Sequence, residues 1–369
     1  MKTGTRLALL LAPLLLHCGG ALAQTRYSLT PVRPFYAPLG MNDLGQIVSF
    51  TIPERSDALP QGAVWTPGSP PTLTLLGMPY DTTAAINNAG QVTGAHRISP
   101  TVDHAAIFEN GGFRDLGTLG GRSSTGSAIN ESGQVAGSAA VASNLQHAFL
   151  YTGGTMHDLG TLAGGWSYAY GINDRGDVVG NATIFPGHDA ITHPFLYRDG
   201  TMTDLSRFAA EEGGAIGIND RGQIVGTVHL GDEYHGFLYE DGVMTYIGLP
   251  GALGNDARSI NERGDVVGTA ALPSSPHGYI YTDGHAIDLN TLLDTSEGWT
   301  VNQAWLINEA GQIAGTACRP HPSGNGLDCA TALLTPVPEP PAVALWACAG
   351  LFALVGTAWR RRRCRPNLF

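Results

Sequence analysis

From about Tyr27 to Thr335 the chain alternates short apolar-rich runs with clusters of Asn, Asp and Gly. The stretch 167–205 shows the pattern most clearly. Ser167 to Ile172 is apolar-rich and runs into Asn173-Asp174-Arg175-Gly176, where Asn and Gly tolerate the positive φ that a tight hairpin requires. Asp177 to Ala182 reads as a second strand and, after a variable loop, Pro194 to Tyr197 as a third. Arg198-Asp199-Gly200 is another turn, and Thr201 to Leu205 a fourth strand. In a related third strand, Phe149 and Tyr151 alternate with Ala148 and Leu150, so both faces are apolar. Such a sheet is expected between two neighbours.

The unit recurs. MNDLGQIVS from Met41, INNAGQVTG from Ile86, INESGQVAG from Ile129, INDRGDVVG from Ile172, INDRGQIVG from Ile218, INERGDVVG from Ile260 and INEAGQIAG from Ile307 make seven copies. Their asparagines, Asn42, Asn87, Asn130, Asn173, Asn219, Asn261 and Asn308, are spaced by 45, 43, 43, 46, 42 and 47 residues. That period is in the range of propeller blades. Second halves start at His104, His147, His193, His235 and His277, with degenerate versions at Gly62 and Ala330. A single blade cannot bury two apolar faces, whereas a ring of blades can. The fold expected is all-β: a seven-bladed β-propeller of four-stranded repeats about 43 residues long, over 24–335. INESGQVAG and LQHAFLYTGGTMHDLGTLAGG resemble the HAF-type extracellular repeat across nearly all of that body. The resemblance implies export and a repetitive β architecture, and it implies no reaction. Ser49 in place of the closing glycine, Tyr246 in place of the recurrent aspartate and a last unit without its histidine depart from the pattern.

Both ends read as addresses. Lys2 and Arg6, an apolar run from Leu7 to Leu16, and Ala21-Leu22-Ala23 before Gln24 make a secretory signal peptide over 1–23. His17 stands where a lipoprotein signal needs a small residue, so Cys18 leaves with the signal. Ala342 to Trp359 is uncharged, apolar and just long enough to cross a hydrocarbon core of ~30 Å as a transmembrane helix. Arg360, Arg361, Arg362, Arg363 and Arg365 follow it in a basic tail, 360–369, that is expected to stay cytoplasmic, so the body faces outward. Val337, Pro338, Glu339 and Pro340 precede the span within a Pro-rich segment, 336–341. This order of Pro-Glu-Pro, span and arginine cluster resembles the PEP-CTERM sorting signal of Gram-negative bacteria. It implies recognition by an exosortase-type membrane protease.

Seven of the 20 basic residues lie in these terminal segments, which leaves 13 against nearly all of the 31 acidic residues and a net charge of about −18 on the body. A basic groove for nucleic acid is therefore not expected. The only lysine is Lys2, so the body has no amine for Schiff-base chemistry. No HExxH, GxSxG, Walker-type or paired CxxC motif occurs, and no catalytic, cofactor or metal residue is assigned. The recurrent histidines are read as opening a strand and bonding to a neighbouring loop rather than as a metal ring. Asn173-Asp174 with Asp177, and Asn261-Glu262 with Asp265, invite calcium, but Gln46, Gln91, Gln134, Gln223 and Gln312 replace the second carboxylate elsewhere. They are read as hairpin turns. Glu211, Glu212, Asp232, Glu233, His188 and Asp189 break the repeat as solvated loop charges; Trp166, Tyr168 and Tyr170 could form an aromatic platform for a sugar, but Tyr168 and Tyr170 alternate along a strand and are read as core residues.

Counting strands decides how the ring shuts. The seventh unit stops at Ala330 to Leu334, while Tyr27 to Val32 is a spare strand in front of the first, so the two are expected to pair in one blade and leave no open edge. Cys318 and Cys329 bracket the last hairpin and are expected to form a disulfide, as an oxidising compartment allows. The resulting functional expectation is a noncatalytic surface or matrix protein that presents a propeller to a cell-envelope or exopolysaccharide component and is held to the membrane by its C-terminal helix. A carbohydrate-active enzyme or lectin and a cation-dependent adhesion module stay open as alternatives.

Overall fold

The computed structural model describes residues 25–33, 35, 37–51, 61–76, 82–185, 191–206, 212–294, 297–324 and 326–338. They form seven four-stranded antiparallel sheets, the blades of a closed β-propeller. Blades 1 to 6 cover 40–75, 82–115, 120–158, 167–204, 212–247 and 259–288, each with its strands in chain order. Blade 7 takes three strands from 300–337 and its fourth from Arg26–Val32. The first strand of each blade touches the first strand of the next around the axis, blade 7 returning to blade 1. Segment 1–23, Glu339, Pro340, the span 342–359 and the tail arginines lie outside the described residues, among which no helix is long and apolar enough to cross a membrane.

The expected closure is present. Leu29 pairs with Leu334, Thr30 with Leu333 and Val32 with Thr331 in an antiparallel ladder that begins at Arg26 opposite Val337. The third strand of blade 7, Leu327–Val337, continues two residues past the expected boundary at 335, taking Pro336 opposite Tyr27. Beside it Cys318 faces Cys329 across the hairpin and the two form a disulfide.

Burial explains why the repeat carries the residues it does. Phe149, Phe195, Phe237 and Tyr279 occupy one position of the third strand and are fully buried. Each lies against the glycine that closes the motif in the second strand, Gly137, Gly180, Gly226 or Gly268. A Cβ on Gly180 would stand 1.9 Å from the Tyr168 carbonyl oxygen and 2.9 Å from the Phe195 ring, so no larger residue fits. The hydrophobic clusters lie between blades: Ala105, Ile107 and Leu116 of blade 2 pack on Ile129, Val135 and Phe149 of blade 3. Val32 and Leu333 of blade 7 pack on Ile47 and Trp65 of blade 1. At roughly 1.5–3 kcal/mol per fully buried large apolar side chain, this shared burial is what the isolated blade lacks.

Because each blade is a meander, its turns fall at alternate ends. The Asn turn and the second, Asp-Gly turn share one end, here the turn face; the hairpin between second and third strands and the crossing to the next blade share the other, the loop face. The outer turns keep their sequence promise, with positive φ at Asp199 and Gly200, Asp241 and Gly242, and Asp283 and Gly284. In the Asn turns only the glycine is left-handed, φ 83° at Gly176. Asn173 is there for its side chain instead. Arg26 and Val337 both lie at the turn face, so the chain enters and leaves the ring on that side.

Candidate functional site

Two rings of hydrogen bonds close the turn face. Each recurrent Asn accepts, through Oδ1, the backbone N–H four residues on, and donates from Nδ2 to the side chain at that same position. A second Nδ2 bond goes to the carbonyl of the next blade's Asn: Asn42 to Asn87, Asn87 to Asn130, Asn130 to Asn173, Asn173 to Asn219, Asn219 to Asn261, Asn261 to Asn308 and Asn308 back to Asn42, at 3.0–3.5 Å. The residue after each Asn forms the second ring. Its side chain accepts from the backbone N–H of its counterpart in the preceding blade, at 2.6–3.0 Å, through Asn88, Glu131, Asp174, Asp220, Glu262, Glu309 and Asp43 in turn. All seven asparagines are buried.

Six carboxylates thus surround one mouth of the axial channel, a space of about 250 Å³ floored by the Ile and Met residues before each Asn. Burial first, and then the charges of Asp174 and Asp43, push the Glu131 carboxyl above its ordinary range; burial followed by Asp43 and Glu262 does the same at Glu309. The two acidic turns weighed for calcium are engaged otherwise. Asp177 receives hydrogen bonds from Asn173, Arg175 and Arg198, and Asp265 from Asn261 and Arg263. Burial alone would raise the Asp177 carboxyl, but the bonds from Arg198, Asn173 and Arg175 outweigh it and hold it below the usual carboxylate range. Gln serves in the other copies because Asn Nδ2 needs only an acceptor oxygen there.

The histidines do not bond to a neighbouring loop as expected. Nδ1 of His104, His147, His193 and His277 lies 3.0, 2.9, 2.7 and 2.7 Å from a carboxylate oxygen of Asp115, Asp158, Asp204 and Asp288. Each Asp belongs to the outer strand of the same blade, opposite the strand its His begins, so the pair ties two strands at the loop face. Where Tyr246 replaces the aspartate, its ring stands 5.4 Å from that of His235. The period of 11 residues between His and Asp was the signal in the sequence. Among the described residues no group of three or more His, Cys, Asp or Glu is placed to hold a metal ion.

The loop face differs. Ile98, Trp166, Phe185, Tyr234, Leu253 and Leu327 are exposed there, at 39–68% of their surface, while the turn face exposes Leu44 and, beside the outer turns, Leu73, Phe113 and Val243. The channel behind it is lined at the position three before each Asn by Leu39, Ala84, Ser127, Tyr170, Ile216 and Arg258. Tyr170 therefore belongs to the channel and not to the core: its strand buries Ser167, Ala169 and Gly171, and Tyr170 is 40% exposed, with Tyr168 half-buried. Burial and the neighbouring Tyr168 push the Tyr170 hydroxyl up.

From the channel a cleft of about 550 Å³ opens outward between blades 4, 5 and 6. Asn181, Glu212, Gly214, Thr227, Asp256 and Arg258 are among its walls. Arg258 is fixed by Asp256, at 2.9 Å from Nε and 2.8 Å from Nη2, and lies 4.3 Å above the Trp305 ring. Asp256 is held in turn by the Thr269 N–H. Of the charges that break the repeat, Glu212 reaches this cleft, and Glu233 lies 3.7 Å from His235 at its edge of the ring. Glu211, His188 and Asp189 lie outside the described residues.

Residues 162–334 match a family described as a protein of unknown function (DUF3466), which is just under half of the chain. No curated protein matches it. Among solved structures it is similar to the β-propeller domain of the Trilobed protease from Pyrococcus furiosus, at 11% identity over 68% of this chain and 79% of that one, with a TM-score of 0.51. TolB from Acinetobacter baumannii, also 11% identical, matches over 85% of this chain and 97% of its own, TM-score 0.41. Acylaminoacyl peptidase from Pyrococcus horikoshii is matched over only half of its length, at 11% identity, 78% of this chain and a TM-score of 0.46. The first of these likenesses, to the Trilobed protease domain, agrees with the propeller fold and leaves the function to the site.

Proposed function

We propose that this protein is an exported binding propeller whose loop face and adjoining cleft hold a component of the cell envelope or its exopolysaccharide matrix. The observation that carries the reading is the gathering of six exposed apolar side chains, Ile98, Trp166, Phe185, Tyr234, Leu253 and Leu327, on the one face that also carries the irregular connections. Exposed apolar groups gathered on one surface mark interaction sites, and loops on a rigid scaffold are where binding residues concentrate. The fold leaves its last described residue, Pro338, at the opposite face. A tail bearing a PEP-CTERM-type signal, processed by an exosortase-type protease, would therefore hang the ring with its loop face outward.

One fractionation experiment tests both parts. Cells producing the parent, a Phe185→Ser, Tyr234→Ser, Leu253→Ser triple variant and a Glu339→Ala variant are separated into membrane, envelope-matrix and medium. The triple variant should be processed normally but released from the matrix, while Leu44→Ser on the turn face is retained; Glu339→Ala should accumulate unprocessed in the membrane. Retention of the triple variant refutes the binding face, and normal processing of Glu339→Ala refutes the sorting signal.

A further inference from the structure

We propose that the cleft between blades 4, 5 and 6 binds a neutral oligosaccharide, an assignment that rests on the loop face being a binding surface and gives it a ligand class. The cleft exists because one side chain is missing. Five residues before the Asn, the other blades carry Ala37, Thr82, Thr125, Tyr168, Asp256 and Gln303, but blade 5 carries Gly214. Gly214 does not have a left-handed backbone, and a Cβ there would meet Asn181 at 3.5 Å and Tyr170 at 3.8 Å, ordinary contacts. Its neighbour Gly213 is different, since a Cβ would come within 2.4 Å of the Thr227 carbonyl oxygen. Packing therefore requires Gly213, whereas Gly214 keeps open a space of small-molecule size, roughly 300–1,000 Å³ being usual.

The walls select the ligand. Tyr234 in the cleft wall and Tyr170 in the channel beside Gly214 present partly exposed rings, and the Arg258 guanidinium is immobilised between Asp256 and Trp305. The Thr227 hydroxyl has no hydrogen-bond partner among the described residues. An apolar ligand would strip water from Arg258 and Glu212 without replacing it, and would leave the buried Thr227 hydroxyl unpaired, which is unfavourable. An anion meets Glu212 and an arginine whose charge Asp256 already balances, on a body of strongly negative net charge that repels it. A neutral sugar ring has an apolar C–H face for the tyrosines and vicinal hydroxyls that both donate and accept. Guanidinium, amide, hydroxyl and carboxylate groups match those hydroxyls.

Calorimetry of the exported protein with neutral glucan, galactan and mannan oligosaccharides, and with uronate oligomers for comparison, tests the assignment. At least one neutral series should bind, and Gly214→Tyr, which installs the side chain blade 4 already carries at Tyr168, should weaken it roughly tenfold or more. Tyr170→Ala should do the same, and it serves as the reading if Gly214→Tyr lowers the melting temperature. Binding of none of the neutral series, preference for uronates, or parent-like affinity in both variants overturns the proposal. If that happens while the loop-face triple variant is still released from the matrix, the sugar assignment falls and the binding face stands; loss of both results removes the face as well.

Discussion

At the turn face every blade ends in the same few residues and hands one amide to the next; at the loop face no common length survives. The connections there run from two residues between Ser99 and Val102 to eleven between Phe50 and Gly62. The contrast separates two tasks. Register, closure and blade count are set where each Asn is both donor and acceptor in a ring. The proposed binding is left to an end whose sequence can drift without touching those bonds.

Asn219→Ala should give the largest effect of a single substitution. It strips acceptors from the Gln223 N–H and donors from Gln223 and from the Asn261 carbonyl, all buried, and the expected cost is roughly 2–4 kcal/mol by denaturant unfolding. Leu253→Ser on the loop face should stay within about 0.5 kcal/mol of the parent. Equal effects would abolish the distinction between the faces. The disulfide staples the last loop-face hairpin, and Cys329→Ser should remove that staple at a cost of about 3 kcal/mol, as expected for a short closed loop. Unfolding of parent and variant under oxidising and reducing conditions measures this, and a parent indifferent to reductant would contradict it.

The smallest effect sharpens the account of the acidic ring. Glu131 and Glu309 have carboxyls raised in the folded state, so their contribution to stability is present below the ordinary glutamate range and is lost as pH rises through the raised values. Glu131→Gln with Glu309→Gln keeps an acceptor oxygen for the Asn88 and Glu262 N–H groups and removes the crowded charge. The double variant should melt slightly above the parent at pH 7, the gap closing as pH falls through the carboxylate range. Asp177 acts in the opposite sense: its lowered carboxyl stabilises the fold above the ordinary aspartate range, and that stability is lost on strong acidification.

Much of this was legible in the chain. The spacing of Asn42 to Asn308 announced the blades, Asp199-Gly200 its hairpin, and the unmatched strand Tyr27 to Val32 the closure. What escaped was whatever depends on a neighbour outside the unit. The Asn amide looks like a turn residue until the next blade supplies its carbonyl, and Tyr170 obeys a strand alternation whose exposed side turns out to face the axis. Glu212 was visible as a break, yet Gly214 beside it was not, because a missing side chain carries no pattern of its own and shows only when the seven units are compared column by column.

The shared blade has a mechanical consequence. Val337 sits opposite Arg26, and any pull on the chain beyond Pro338, directed away from the turn face, runs along the strand Leu327–Val337. Hydrogen bonds of an antiparallel ladder lie perpendicular to its strands. The load therefore falls in shear on seven pairs with Arg26–Val32 and eight with Ile313–Pro320 at once, instead of opening them in succession. At 11 residues this is the longest strand among those described, so a ring tethered by its C-terminal end hangs from the part least able to unzip.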